Sequence, residues 1–114
     1  MHVAYDETLA ERVREILLVH PGLWEQKMFG GLAFMLDGHM CCGIAGSELM
    51  VRLGQEGAER ALERPHVRSM DFTGRPMTTM VFVSSDGVRG GALKRWVDQA
   101  TEFVKSLPKK SSTA

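Results

Sequence analysis

His39, Cys41 and Cys42 stand close together inside the apolar stretch KMFGGLAFMLDGHMCCGI, Lys27 to Ile44. Thiolates and imidazoles are zinc ligands, and a thiol beside an imidazole is the arrangement of a cysteine nucleophile. Whether either chemistry is available depends on the strands that carry these residues. Asp37-Gly38 between two apolar runs predicts a hairpin with a two-residue turn. That turn sets Leu36 opposite His39, Met35 opposite Met40, Phe34 opposite Cys41 and Ala33 opposite Cys42. Side chains alternate along a strand, so Cys41 and Cys42 are expected to point to opposite faces. One metal ion then cannot take both, and their spacing matches no zinc pattern. His39 and Cys41 share a face, which leaves a thiol redox sensor built on that pair as a third-ranked function. No orienting group for them is evident. Two small buried side chains in a sheet are the expected outcome.

The same register assigns the two faces of the sheet. A second turn at Gly46-Ser47 brings Ile44 opposite Leu49 and Cys42 opposite Val51. One face then holds Ala33, Met35, Met40, Cys42, Ile44, Leu49, Val51 and Leu53, apolar throughout and expected to lie beneath helices. The other holds Leu32, Phe34, Leu36, His39, Cys41, Met50 and Arg52, large apolar groups mixed with polar ones. An apolar patch of this kind on a small domain is a candidate interaction surface, unless the second β region folds over it.

The elements that must position these residues follow from periodicity. Asp6 to His20 reads as a helix with Asp6 as N-cap and Pro21-Gly22 as stop. Trp24 to Phe29 reads as a strand that bends at Gly30-Gly31 and continues to Leu36. His39 to Ala45 and Leu49 to Leu53 follow. Gln55 to Arg64 is a short helix with Ala58, Ala61 and Leu62 inward. Val67 to Phe72 and Met77 to Val83 flank a turn, and a last helix carries the stripe Leu93, Trp96, Val97, Ala100, Phe103, Val104, Leu107. The expected fold is α+β, two layers, an antiparallel sheet with helices in the order α-β-β-β-α-β-β-α. Residues 1–108 form the expected domain, and residues 109–114 a disordered polar tail.

Fourteen Lys+Arg balance fourteen Asp+Glu, so the formal net charge is zero. Dedicated nucleic-acid binders are usually basic, which argues against DNA as the main partner. No signal-peptide pattern and no membrane-length apolar run occur, and two cysteines make no disulfide framework. A cytoplasmic protein with reduced thiols is expected. No phosphate-loop motif is present, and Gly30-Gly31 is expected to serve backbone geometry instead. In Asp71-Phe72-Thr73-Gly74-Arg75-Pro76, Asp71 and Arg75 flank a turn, where an ion pair is expected and ligand binding is the alternative. Gly90-Gly91-Ala92-Leu93-Lys94 is expected to be a solvated helix start.

The segments MFGGLAFMLDGHMCCGI, ELMVRLG and MDFTGRPM, with the opening YDETLAERVREIL and the closing KSLP, resemble the N-terminal domain of the TfoX (Sxy) family over nearly the whole chain. The matching positions are Met28, Phe29, Gly30, Gly31, Phe34, Met50, Val51, Arg52, Asp71, Phe72, Gly74, Arg75 and Pro76. The resemblance implies an α+β fold with an antiparallel sheet, and a single-domain member. Full-length proteins of that family regulate natural competence with the cyclic-AMP receptor protein and carry a separate C-terminal domain. The family supplies no catalytic residues to carry over. The expected function is therefore a non-enzymatic module that works by contact with a protein partner or a second copy, with no cofactor, metal or membrane. A nucleic-acid-associated transcriptional regulator is the alternative.

Overall fold

Asp6 begins the first helix by accepting a hydrogen bond from the Leu9 amide on its side-chain oxygen (3.1 Å). This satisfies one of the amides that a helix start leaves unpaired. The computed structural model describes residues 5–28, 30–72 and 75–108; side chains at 28, 70–72 and 75–77 lie outside that description. The elements are α1 (Glu7–Leu17), β1 (Leu23–Met28), β2 (Gly31–Leu36), β3 (His39–Ala45), β4 (Glu48–Arg52), α2 (Gly54–Ala61), β5 (Val67–Phe72), β6 (Arg75–Val83) and α3 (Gly91–Lys105), with a 3-10 turn at Ser85–Val88. The fold is α+β, and the six strands form one antiparallel sheet in the order β1-β2-β3-β4-β6-β5.

Helices and strand groups alternate as the sequence predicts, but the first group holds four strands where three are expected. Gly30 does not bend a continuous strand; it lies in a hairpin turn that folds β1 back on β2, with Met28 opposite Gly31. Gly30 has φ +73, which a side chain disfavours. Gly31 has no room for one, since an added Cβ would lie 2.3 Å from the Ile44 carbonyl oxygen on β3. Both glycines therefore serve the backbone. The second β region extends the sheet beyond β4 and does not fold over it.

The three α-helices among the described residues lie on one side of this sheet. α3 crosses β3 and β4, α1 packs on α3 and β3, and α2 covers β6. A single core joins Leu9, Val13 and Leu17 of α1, Ala58 and Ala61 of α2 and Leu93, Trp96, Val97, Ala100 and Val104 of α3 to one sheet face. α2 is shorter than predicted, ending at Ala61, and Leu62 is exposed rather than inward. Trp96, 4% exposed, packs where α3 meets the 3-10 turn, with its indole N–H donating to the Gly87 carbonyl (3.1 Å).

Arg14 on α1 ties the helix layer to the edge strand β1 through two hydrogen bonds to the Glu25 carboxylate, the longer at 2.7 Å. These bonds hold the Glu25 carboxyl below its ordinary range against the opposing pull of burial. A carboxyl with a depressed folded pKa stabilises above its unfolded pKa, and that contribution fades as pH falls through the folded value. Glu25→Gln is thus expected to lose stability at neutral pH and to converge on the wild type in acid. The effect is small, because both side chains are partly exposed. Thermal unfolding of the two proteins across the acid range checks it.

Candidate functional site

The hairpin that carries the cysteines is built around a bulge. Asp37 and Gly38 have φ +52 and +84, the pair of positive values that a type I′ turn requires. Leu36 faces His39 and Met35 faces Met40, as predicted. The register then shifts: Phe34 faces Cys42, Ala33 faces Gly43 and Leu32 faces Ile44. Cys41 is the extra residue, so Cys41 and Cys42 together oppose Phe34. Beyond it, Cys42–Val51 and Ile44–Leu49 pair as expected.

This single extra residue overturns the predicted assignment of faces on β2. Leu32, Phe34, Leu36 and Cys41 are 4%, 0%, 1% and 0% exposed and belong to the core beneath the helices. They are not an interaction surface. Of that predicted set, Met50 alone packs in the cluster on the opposite side, with Met80, Phe82, Met40 and Ala45. His39 is half-buried and donates from Nε2 to the carbonyl of Pro108, three residues beyond α3 (2.7 Å). The Arg52 guanidinium lies 5.9 Å from the Phe103 ring of α3.

Cys41 and Cys42 do not point apart. Both are fully buried on the helix side, as free thiols. Cys41 Sγ lies 3.7 Å from Thr101 Oγ1, whose hydroxyl donates to the Val97 carbonyl (2.8 Å). The hydrogen bond with Cys42, against the effect of burial, and then Thr101 and the Arg52 charge, draw the Cys41 pKa down. The bond to Cys41 and complete burial push Cys42 well up. The imidazole of His39 is engaged elsewhere and is not among the groups acting on Cys41. Native alkylation is therefore expected to label neither thiol while the fold holds, and Cys41 ahead of Cys42 once α3 is loosened. Peptide mapping after timed labelling checks the order; Cys42 reacting first would contradict this placement.

With the helices on one side, the other face of the sheet is bare of helix among the described residues. Across it runs the row Gln26, Ala33, Gly43, Met50, Phe82 and Arg68. Arg68 reaches over Phe82, 4.2 Å from the ring centroid, and pairs with Glu48. Met50 and Met80 are buried by their neighbours, Met35 and Met40 are half-buried, and Trp24 at the edge is 50% exposed. Long unbranched side chains thus form the outer skin of this face, where a helix covers the other.

A second feature escaped the sequence. A cleft of about 530 Å³ lies between the first turn of α2 and the last turns of α3, lined by Gln55, Glu56, Arg60, Gln99, Glu102 and Phe103. Its polar groups carry both signs of charge and converge on no common point that the structure identifies. Among the described residues, no three His, Cys, Asp or Glu side chains gather as metal ligands. No described helix is long and apolar enough to cross a membrane. Phe29, Gly74, residues 109–114 and the side chains of Met28, Asp71, Phe72, Arg75 and Pro76 fall outside the described residues, and with them the Asp71–Arg75 pairing and the tail.

The motif residues that are described, Gly30, Gly31, Phe34, Met50, Val51 and Arg52, are thus spread over a turn, the core and the bare face. They do not converge on a reaction centre. The model of the TfoX N-terminal domain matches residues 17–104 of the 114. The chain belongs to the TfoX N-terminal domain family. No curated protein and no solved structure matches it. In this TfoX N-terminal domain the matched region runs from the end of α1 through most of α3, so it takes in the whole sheet. Family membership carries a resemblance to competence-related regulators.

Proposed function

We propose that this TfoX N-terminal domain is a non-enzymatic, cytoplasmic regulatory module that works by protein contact, with the helix-free face of its sheet as the contact surface. The observation that carries this is the one-sided distribution of the helices. It leaves Met35, Met40, Phe82 and Trp24 on a broad apolar layer closed only by side chains. Methionine suits such a surface, because its unbranched, polarizable chain adapts to a partner's shape. Arg68 and Glu48 supply a polar border. Zero net charge favours a protein over a nucleic-acid partner.

The test is co-purification from the native cell with Met35→Glu and Met40→Glu variants beside the wild type. Both side chains lie on the helix-free face and are partly exposed, so the fold should survive the change. A partner retained by the wild type and by the helix-side control Arg60→Glu, but lost from the face variants, is the expected result. A partner that stays bound to both face variants would refute the assignment. Steeply salt-dependent binding of duplex DNA by the purified protein would favour the nucleic-acid alternative.

A further inference from the structure

The two edges of the sheet are not equivalent. β5 is blunted: its pairing with β6 shifts register between Ser69 and Met70, and Arg68 stands on it. Both edges carry charge, Arg68 on β5 and Glu25 and Lys27 on β1, but a bulge is the stronger means of keeping an edge from pairing with another chain, and only β5 has one. β1 has no such break. Its six residues, Leu23–Met28, pair with β2 in unbroken register and contain no proline. Among the described residues, three of the four large apolar side chains left exposed, Leu18 (68%), Val19 (79%) and Trp24 (50%), lie on β1 or in the turn leading into it. A regular, unbroken edge flanked by exposed apolar groups is a pairing edge when its charges find complements across the pair.

We propose that β1 pairs with β1 of a second copy, antiparallel about Gln26, so that the two sheets become one. The sequence of the strand fits itself in that register. With Gln26 on the two-fold axis, Glu25 of each copy stands opposite Lys27 of the other. Both lie on the helix side, where Glu25 already meets Arg14. Lys27 is exposed and, among the described residues, has no ionic partner. Dimerisation gives it one, twice over, because a two-fold contact repeats every pair. Opposite charges directly across a strand pair are stabilising, and like charges are not. A foreign strand offers no such built-in complement, which is why a second copy is the occupant. The inference is independent of the contact face proposed above, since edge pairing leaves that face open and makes it larger.

The experiment is a charge swap. The wild type should sediment at twice the 12.7 kDa of the chain. Lys27→Glu sets Glu25 against an acidic residue twice and should weaken the dimer by at least about tenfold; Glu25→Lys should do the same with basic residues. Mixing the two variants places acid against base at both positions and should restore a one-to-one heterodimer, read by native mass spectrometry. Should Glu25→Lys fail to fold for want of its Arg14 pair, hydrogen exchange decides. Amides of β1 should exchange slowly in concentrated wild type, faster on dilution, and fast in Lys27→Glu at any concentration. A wild type that is monomeric near millimolar concentration would overturn the proposal. So would a dimer of unchanged strength in Lys27→Glu. Either failure leaves the proposed contact face untouched.

Discussion

Phe34→Ala is expected to cost about 3–5 kcal/mol of stability, the range for emptying a large aromatic site in a core. Phe34 is fully buried, opposite Cys42 at the bulge and opposite Glu25 on β1, under the helices. A domain of this size has roughly 5–15 kcal/mol in total, so the loss removes a large share of it. Phe34→Glu goes further and places a carboxylate where no solvent reaches, which should abolish folding at neutral pH. Denaturant titration followed by circular dichroism measures both. The predicted sheet register, with Phe34 on an exposed face, requires the opposite: little change in stability and a loss of association. A well-folded Phe34→Glu protein would restore that register and refute the bulge.

Trp96→Ala is the second large effect, also expected at about 3–5 kcal/mol. Trp96 lies midway along the buried stripe of α3, and Arg64 from the turn after α2 sits 4.7 Å from its ring. Its loss opens a cavity where α3 meets the 3-10 turn and strands the Gly87 carbonyl that the indole satisfies. Trp96→Phe separates the two contributions. It keeps most of the volume and removes the hydrogen bond, at about 1–3 kcal/mol. Equal losses in both variants would show that packing around the ring contributes little.

Much of the fold was legible because local chemistry specified it. Asp6 caps α1, and Asp37-Gly38 and Gly46-Ser47 set two-residue turns at the predicted residues. The stripe on α3 is the buried face of that helix, with Leu93, Trp96, Val97, Ala100 and Val104 inward. The hairpin at Gly30 was not legible, because a tight turn within the apolar run MFGGLAF looks the same as a bend in a long strand. The bulge at Cys41 was hidden for a different reason. No residue type in HMCCGI marks which position is extra, yet one extra residue reverses the alternation between β2 and the strands beyond it. Leu32, Phe34 and Leu36 change places with Ala33 and Met35 as a result, and the two thiols come to lie side by side. The candidate surface failed as a list of residues for that one reason. What survived is that an apolar sheet face remains without a helix.

That face is the centre of the account, and oxidative footprinting of the methionines tests it most directly. In the purified protein Met35 and Met40, partly exposed, should oxidise faster than Met50 and Met80, which at 5% and 4% exposure should oxidise slowly. In the complexes that the chain forms in its native cell, Met35 and Met40 should become protected. Unchanged oxidation of both in those complexes would show that partners bind elsewhere and contradict the proposed contact surface.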